Sequence, residues 1–269
     1  MTLVSTYAPS LPAWPQDFAL RVAVLSDFHA CSPFMDGAKI RSICEEAKAL
    51  APDIILLLGD YVGGPRFSRE LSASELTSAF ATLSAPLGVH AVFGNHDYDH
   101  YTREQVLAGQ VVAVAALREA GVETYVNRSQ RISHGEHAFW LAGLGDQRAF
   151  HREGMSYDRD DLGIEDLAGT LAQVSTDEPI LLMAHEPDIF PQVPARVALT
   201  LSGHTHGGQV KLFGRTPVVP SKFGSRYVHG HIVEDERHLL VTSGLGYSGW
   251  PIRFGTTPEI VLLELGGRA

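Results

Sequence analysis

Four short, uninterrupted apolar runs constrain this chain more than any other feature: RVAVLS at Arg21–Ser26, IILLL at Ile54–Leu58, ILLMA at Ile180–Ala184 and VALTLS at Val197–Ser202. A strand with one wet face alternates apolar and polar residues. A run that does not alternate belongs to a strand buried on both faces, as in parallel sheets covered by helices. Between the early runs the pattern turns helical. Gly37–Leu50 reads as a helix with Asp36 as its N-cap, and Ser72-x-x-Glu75 and Thr102-x-x-Gln105 are capping boxes opening helices to about Ser84 and Ala120. With a strand at Val89–Phe93 the first half reads βαβαβα, the order of a mostly parallel sheet. The second half is richer in strands, expected at 123–126, 130–133 and 138–143, then a helix over 164–174, then strands at 209–213, 227–233, 239–242 and 260–265. Residues 1–19, with Pro9, Pro12 and Pro15, read as an extended strap whose Trp14 and Phe18 pack on a single domain over 20–269.

The apolar runs are far shorter than the ~18 residues of a membrane span, and no basic residue precedes Arg21, so neither a transmembrane helix nor a signal peptide is expected. Lys and Arg total 21 against 31 Asp and Glu, a net charge of −10, which argues against a nucleic-acid platform and against electrostatic docking on anionic lipid. Two cysteines, Cys31 and Cys44, exclude a disulfide framework and a Cys-rich metal site. Thirteen histidines are the unusual count.

Polar motifs stand where apolar runs stop: Asp27-x-His29, Gly59-Asp60, Gly94-Asn95-His96-Asp97, His185 and Gly203-His204-Thr205-His206. Ligands bind outside the carboxyl ends of strands in α/β sheets, so parallel strands would carry all five clusters to one rim. Carboxylates, an amide carbonyl and imidazoles suit Mn²⁺, Fe or Zn²⁺. Asp27, His29, Asp60, Asn95, His185, His204 and His206 are too many for one tetrahedral ion and suit two ions sharing a carboxylate, the arrangement of phosphoester hydrolysis. His96 and Asp97 remain, an acid with an orienting carboxylate for the leaving group.

These blocks, in this order, resemble the calcineurin-like metallophosphoesterase superfamily over about Leu20–Leu265. The resemblance implies a four-layer α/β/β/α sandwich with two mixed β-sheets. It implies one metal on Asp27, His29, Asp60 and His206, a second on Asp60, Asn95, His185 and His204, and His96 as the catalytic histidine with Asp97 behind it. A hydroxide between the metals would attack phosphorus while His96 protonates the leaving oxygen. Ser202–Gln209, Gly244–Gly246, Pro251-Ile252-Arg253 and Pro258-Glu259-Ile260 are similar to a bacterial branch, often membrane-anchored, described as phosphodiesterases or as hydrolases of UDP-2,3-diacylglucosamine. The expected activity is therefore a phosphodiesterase on a small-molecule or lipid-linked phosphoester. The nucleotide-sugar lipid hydrolase and a non-catalytic metal-binding scaffold are the alternatives. The expected location is cytoplasmic, with any membrane contact peripheral to the inner membrane. Arg253 and His229 are candidate substrate contacts. Arg148, Arg152, Arg159, Arg215, Lys222 and Arg226 lie in loops expected to shape the mouth, where a solvated surface is the first reading and reception of an anion the second.

Overall fold

A computed structural model describes residues 2–151, 155, 162–214 and 216–267. In chain order the elements are β1 (Leu3–Tyr7), β2 (Leu20–Leu25), β3 (Cys31–Ser32), α1 (Gly37–Ala49), β4 (Ile54–Leu57), β5 (Arg69–Glu70), α2 (Ala73–Phe80) and β6 (Val89–Ala91). There follow α3 (Arg103–Leu107), α4 (Val112–Glu119), β7 (Glu123–Thr124), β8 (Arg128–His134), β9 (His137–Gly143) and α5 (Leu167–Ala172). The last are β10 (Ile180–Met183), β11 (Val197–Ser202), β12 (Gly230–Glu234), β13 (Arg237–Val241) and β14 (Glu259–Leu265).

Two six-stranded sheets result, in the orders β1-β14-β2-β4-β6-β7 and β12-β13-β11-β10-β9-β8. Both are mixed. In the first, β2, β4, β6 and β7 run parallel while β14 is antiparallel to β2. In the second, β9, β10, β11 and β13 run parallel, with antiparallel β8 and β12 at the edges. The non-alternating runs are buried on both faces, as their pattern requires. Val22 and Val24 of β2 join Leu56, Leu141, Met183 and Leu199 between the sheets. Their neighbours Ala23 and Leu25 join Ile40, Leu76, Phe80 and Leu117 beneath α1, α2 and α4. On the far side, Leu182 and Val241 pack with Ile189, Phe190 and Tyr227. Each such aliphatic side chain contributes about 1.5–3 kcal/mol by leaving water, and the layer order is α/β/β/α.

Two expectations need correction, and that of the strap gains detail. The strap over 1–19 is partly sheet: β1 pairs parallel with β14, and Leu11, Trp14 and Phe18 are buried beside it. Trp14 Nε1 donates to the Phe18 carbonyl at 2.8 Å and the two rings stack. The helix expected from Thr102 to Ala120 is two helices, because Gly109 takes a left-handed φ of 70° and closes α3 before α4 starts. The strand expected at 209–213 is a single bridge, Val210 to Phe254, within long irregular loops.

Candidate metal centre and active site

The functional residues sit where buried strands stop and the chain turns sharply. Asp27, His29, Asp60, His204 and His206 all adopt positive φ, from 47° to 65°. Non-glycine residues rarely do so, and Asp and His are among those that tolerate it best. The turns bring the first sheet's carboxylates against the second sheet's imidazoles. The Asp27 carboxylate accepts the His204 backbone N–H at 3.0 Å, which links the two sheets at the rim. Close approach also explains two glycines. A Cβ on Gly94 would lie 2.3 Å from Asp60 Oδ1 and 2.5 Å from His185 Nε2, and one on Gly63 would lie 2.6 Å from His96 Cβ.

Two ligand groups form, and Asp60 belongs to both. Asp27, His29, Asp60 and His206 make one, and Asp60, His185 and His204 the other, with the ligand atoms of each within 4.8 Å of one another. Asp60 Oδ2 lies 3.2 Å from His185 Nε2 and 3.5 Å from His29 Nε2. Asn95 Oδ1 is buried without a hydrogen-bond partner, as an unfilled oxygen ligand would be.

Backbone carbonyls set three of the four imidazoles. His29 Nδ1 donates to Gly63 at 2.7 Å, His185 Nδ1 to Leu58 at 2.6 Å and His204 Nε2 to Pro220 at 2.8 Å. Each contact places a proton on the outward nitrogen, which at His29 and His204 leaves a lone pair for the inward one, the tautomer a metal needs; at His185 the Asp60 carboxylate beside Nε2 instead raises the pKa well above the usual range. His206 differs: its Nδ1 faces Nη2 of Arg253 at 2.9 Å.

The electrostatics also suit cations. Burial lowers the pKa of His29 to about 4 and drives those of His204 and His206 well below the usual range, helped by His185 and His29 respectively. Those rings are neutral, as ligation requires. Burial alone would raise Asp60, but His185, His96 and His29 hold it well below the ordinary carboxylate range. Burial and the nearby Asp60 charge together lift Asp27 to about 6. The donor set fits two divalent ions.

His96 stands at the edge of this cradle, its ring 5.1 Å from that of His29. Burial would lower its pKa, yet the charges of Asp60 and Asp99 raise it to about 9. Its partner is a correction to the expected one. His96 Nδ1 meets Asp99 Oδ2 at 2.6 Å. Asp97 instead accepts the backbone N–H groups of Asp60, Tyr61, Val62 and Gly94 at 2.9–3.3 Å, tying the Asp60 turn to the Asn95 turn. The spacing His96-x-x-Asp99, one turn of helix, was the available signal for the true partner.

Two further residues escaped the sequence reading. Asp146 and Glu186 form a third buried acidic group with His185. Burial and the Glu186 charge push the Asp146 carboxyl well above its ordinary range. Gly145-Asp146 closes an apolar run just as Gly59-Asp60 does, and that repetition could have revealed it. Among the candidate substrate contacts, Arg253 reaches the cradle, whereas His229 binds Glu259 Oε1 at 2.7 Å. Arg226 is paired with Glu234, Arg148 is buried, and Arg152, Arg159 and Arg215 lie outside the described residues.

The calcineurin-like phosphoesterase pattern matches residues 20–208. The chain belongs to this family. Phosphodiesterase YaeI of Escherichia coli is 32% identical over 255 residues, covering 91% of this chain and 82% of that protein. The metallophosphoesterase YkuE of Bacillus subtilis is 29% identical over 247 residues, covering 91% and 78%. The fold is shared with a dimetal phosphatase from Danio rerio at a TM-score of 0.50, 13% identity and coverage of 84% and 87%. The chain is accordingly a metal-dependent phosphoester hydrolase, and no described helix is long and apolar enough to cross a membrane.

Proposed function

We propose that this hydrolase cleaves phosphodiesters, using two ions of Mn, Fe or Zn. The observation that carries the reading is the Asp60 carboxylate common to two ligand groups, with the His96 ring beside them. The mixed nitrogen and oxygen donors favour those metals over Mg²⁺ or Ca²⁺, and the diester preference is supported by the name of the YaeI relative.

When bound, the ions offset phosphate charge and acidify water for attack on phosphorus. One ion would rest on Asp27, His29, Asp60 and His206, the other on Asp60, Asn95, His185 and His204. The remaining work falls to side chains. His96 would hold a proton at Nε2, which faces Ser248 Oγ at 3.4 Å on the open side, and pass it to the departing oxygen. Asp99 would fix the ring through Nδ1. Phe67, Trp250, Ile252 and Phe254 are between 51% and 81% exposed, the last three on the stretch that follows Ser248. Trp250 lies against Phe67, and Phe254 N–H donates to the Gln209 carbonyl. If these exposed apolar side chains meet the substrate, they would favour an ester whose leaving group is apolar, free or lipid-linked. The two cysteines, both buried and unpaired, fit a cytoplasmic protein.

The test is hydrolysis of bis(p-nitrophenyl) phosphate against p-nitrophenyl phosphate after loading with each metal. The diester should turn over faster. Faster monoester cleavage, or none of either with two ions bound, would overturn the reading.

A further inference from the structure

Arg253 breaks the rule that the other three imidazoles obey. Behind His29, His185 and His204 stands a carbonyl oxygen, which accepts the proton of the outward nitrogen and keeps the inward one free to face the cradle. Behind His206 stands a guanidinium, which can only donate. In the arrangement described, Arg253 Nη2 donates to a lone pair on His206 Nδ1. The neutral ring then keeps its proton on Nε2, the nitrogen that points at His29 Nε2 2.9 Å away. If His206 held a metal through Nε2, its proton would have to reside on Nδ1, where it would oppose the Nη2 proton, and the guanidinium would lose its acceptor.

Arg253 has no easy retreat. Its Nε donates to the Gly246 carbonyl and its Nη1 to the Ser243 carbonyl, each at 2.8 Å, so two arms of the fork are fixed. No carboxylate lies within ion-pair distance of it among the described residues. The acids that act on it are Asp27 and Glu259, and Tyr247 adds to them. Asp27 belongs to the cradle, and Glu259 already accepts from Ser5, His229 and the Ser243 N–H. A held cation with a donor left over, beside a site that would receive more positive charge, favours an anion.

We propose that metal loading at His206 releases the Nη2 donor of Arg253, and that this donor then binds a phosphate oxygen of the substrate. Metal and substrate sites would thereby be coupled through one imidazole tautomer. A planar fork with two arms anchored suits an oxyanion better than a flexible ammonium does. The proposal rests on the metallophosphoesterase reading above, but its test does not need turnover.

Inorganic phosphate is titrated calorimetrically into protein loaded with Mn²⁺, using wild type, Arg253→Gln and Arg253→Lys, with metal content and metal affinity measured on each. Both variants should keep two ions, bound no more weakly than in wild type, because the misdirected donor is gone or displaced. Phosphate affinity should fall by about tenfold or more in Arg253→Gln and by less in Arg253→Lys, which keeps the charge without the fork. Phosphate binding within twofold of wild type in both variants overturns the proposal. So does loss of metal from both, which would make Arg253 a support for the loop. If Arg253→Gln alone fails to fold, Arg253→Lys decides by the same readings. A wild type that binds phosphate through Arg253 yet cleaves no ester would refute the catalytic reading and leave this one standing.

Discussion

The two sheets contribute to one site in different ways. The first supplies Asp27, Asp60 and Asn95, with His29 and His96, from turns directly after β2, β4 and β6. Behind it lie α1, of 13 residues, and α2 and α4, of 8 residues each. The second supplies His185, His204 and His206, and its outer cover is thin: the six-residue α5 and short 3₁₀ turns such as Pro187–Gln192. From this thinner half come the long irregular loops that carry Ser248, Trp250 and Arg253. Asp27, Asp60, Asn95 and His96 sit on the well-covered half, and Ser248, Trp250 and Arg253 on the loops that leave the other. Chemistry that needs fixed geometry rests on regular elements, while the part that must accommodate a substrate is built from loops.

Substitutions can break this comparison at either half. Asp60→Ala should have the largest effect, since both ligand groups share it. Metal analysis should find both ions lost and the rate should fall by roughly 10³–10⁵; an unchanged metal content would contradict the sharing. His96→Ala should lower kcat by roughly 10²–10⁴ with both metals retained. Loss of metal from that variant would make His96 structural instead.

The two aspartates after His96 should separate cleanly. Asp97→Ala leaves several buried N–H groups without an acceptor and should cost about 3 kcal/mol or more of stability, read as a lowered denaturation midpoint. Asp99→Asn should leave that midpoint nearly unchanged and reduce kcat by roughly 10–100-fold. Its loss should be greater for esters with poor leaving groups than for p-nitrophenyl esters, because only the former depend on the proton. Equal losses across leaving groups would remove Asp99 from proton transfer.

A further effect, felt only in acid, lies at the seam between the sheets. Glu259 begins β14 in the first sheet and accepts from Ser5 of β1, from His229 before β12, and from Ser243 after β13. Burial opposes its ionisation, but these donors hold its carboxyl down at about 2. A folded pKa below the unfolded value stabilises the protein above about pH 4.5, and that contribution is lost as pH falls toward 2. Wild type should therefore lose on the order of 3 kcal/mol through this window, and Glu259→Gln should flatten that part of the stability curve. An unaltered acid limb in the variant would show that the carboxylate carries no such role.

Much of this was legible without coordinates. The runs at Val22–Leu25, Ile54–Leu57, Ile180–Met183 and Val197–Ser202 named four of the central strands, because burial on both faces leaves a mark in the residue types themselves. Their polar ends named the ligand groups, because parallel strands finish on one side of a sheet. Element ends were read less well. The split at Gly109 and the strand at Leu3–Tyr7 depend on a left-handed turn and on a partner 256 positions away, Leu3 beside Glu259.

What only the tertiary structure decided was which neighbour each side chain meets. Sequence proximity made Asp97 the partner of His96. The 3₁₀ turn Asn95–Tyr98 instead carries Asp97 inward to backbone N–H groups and leaves Asp99 beside the ring. Arg253 and His206 are 47 residues apart, and nothing in either local pattern states that a donor stands where three other imidazoles have a carbonyl. Periodicity reports which face of an element is buried, because burial acts on residue type. Hydrogen-bond partnership acts on direction and distance, and those exist only once the chain is folded.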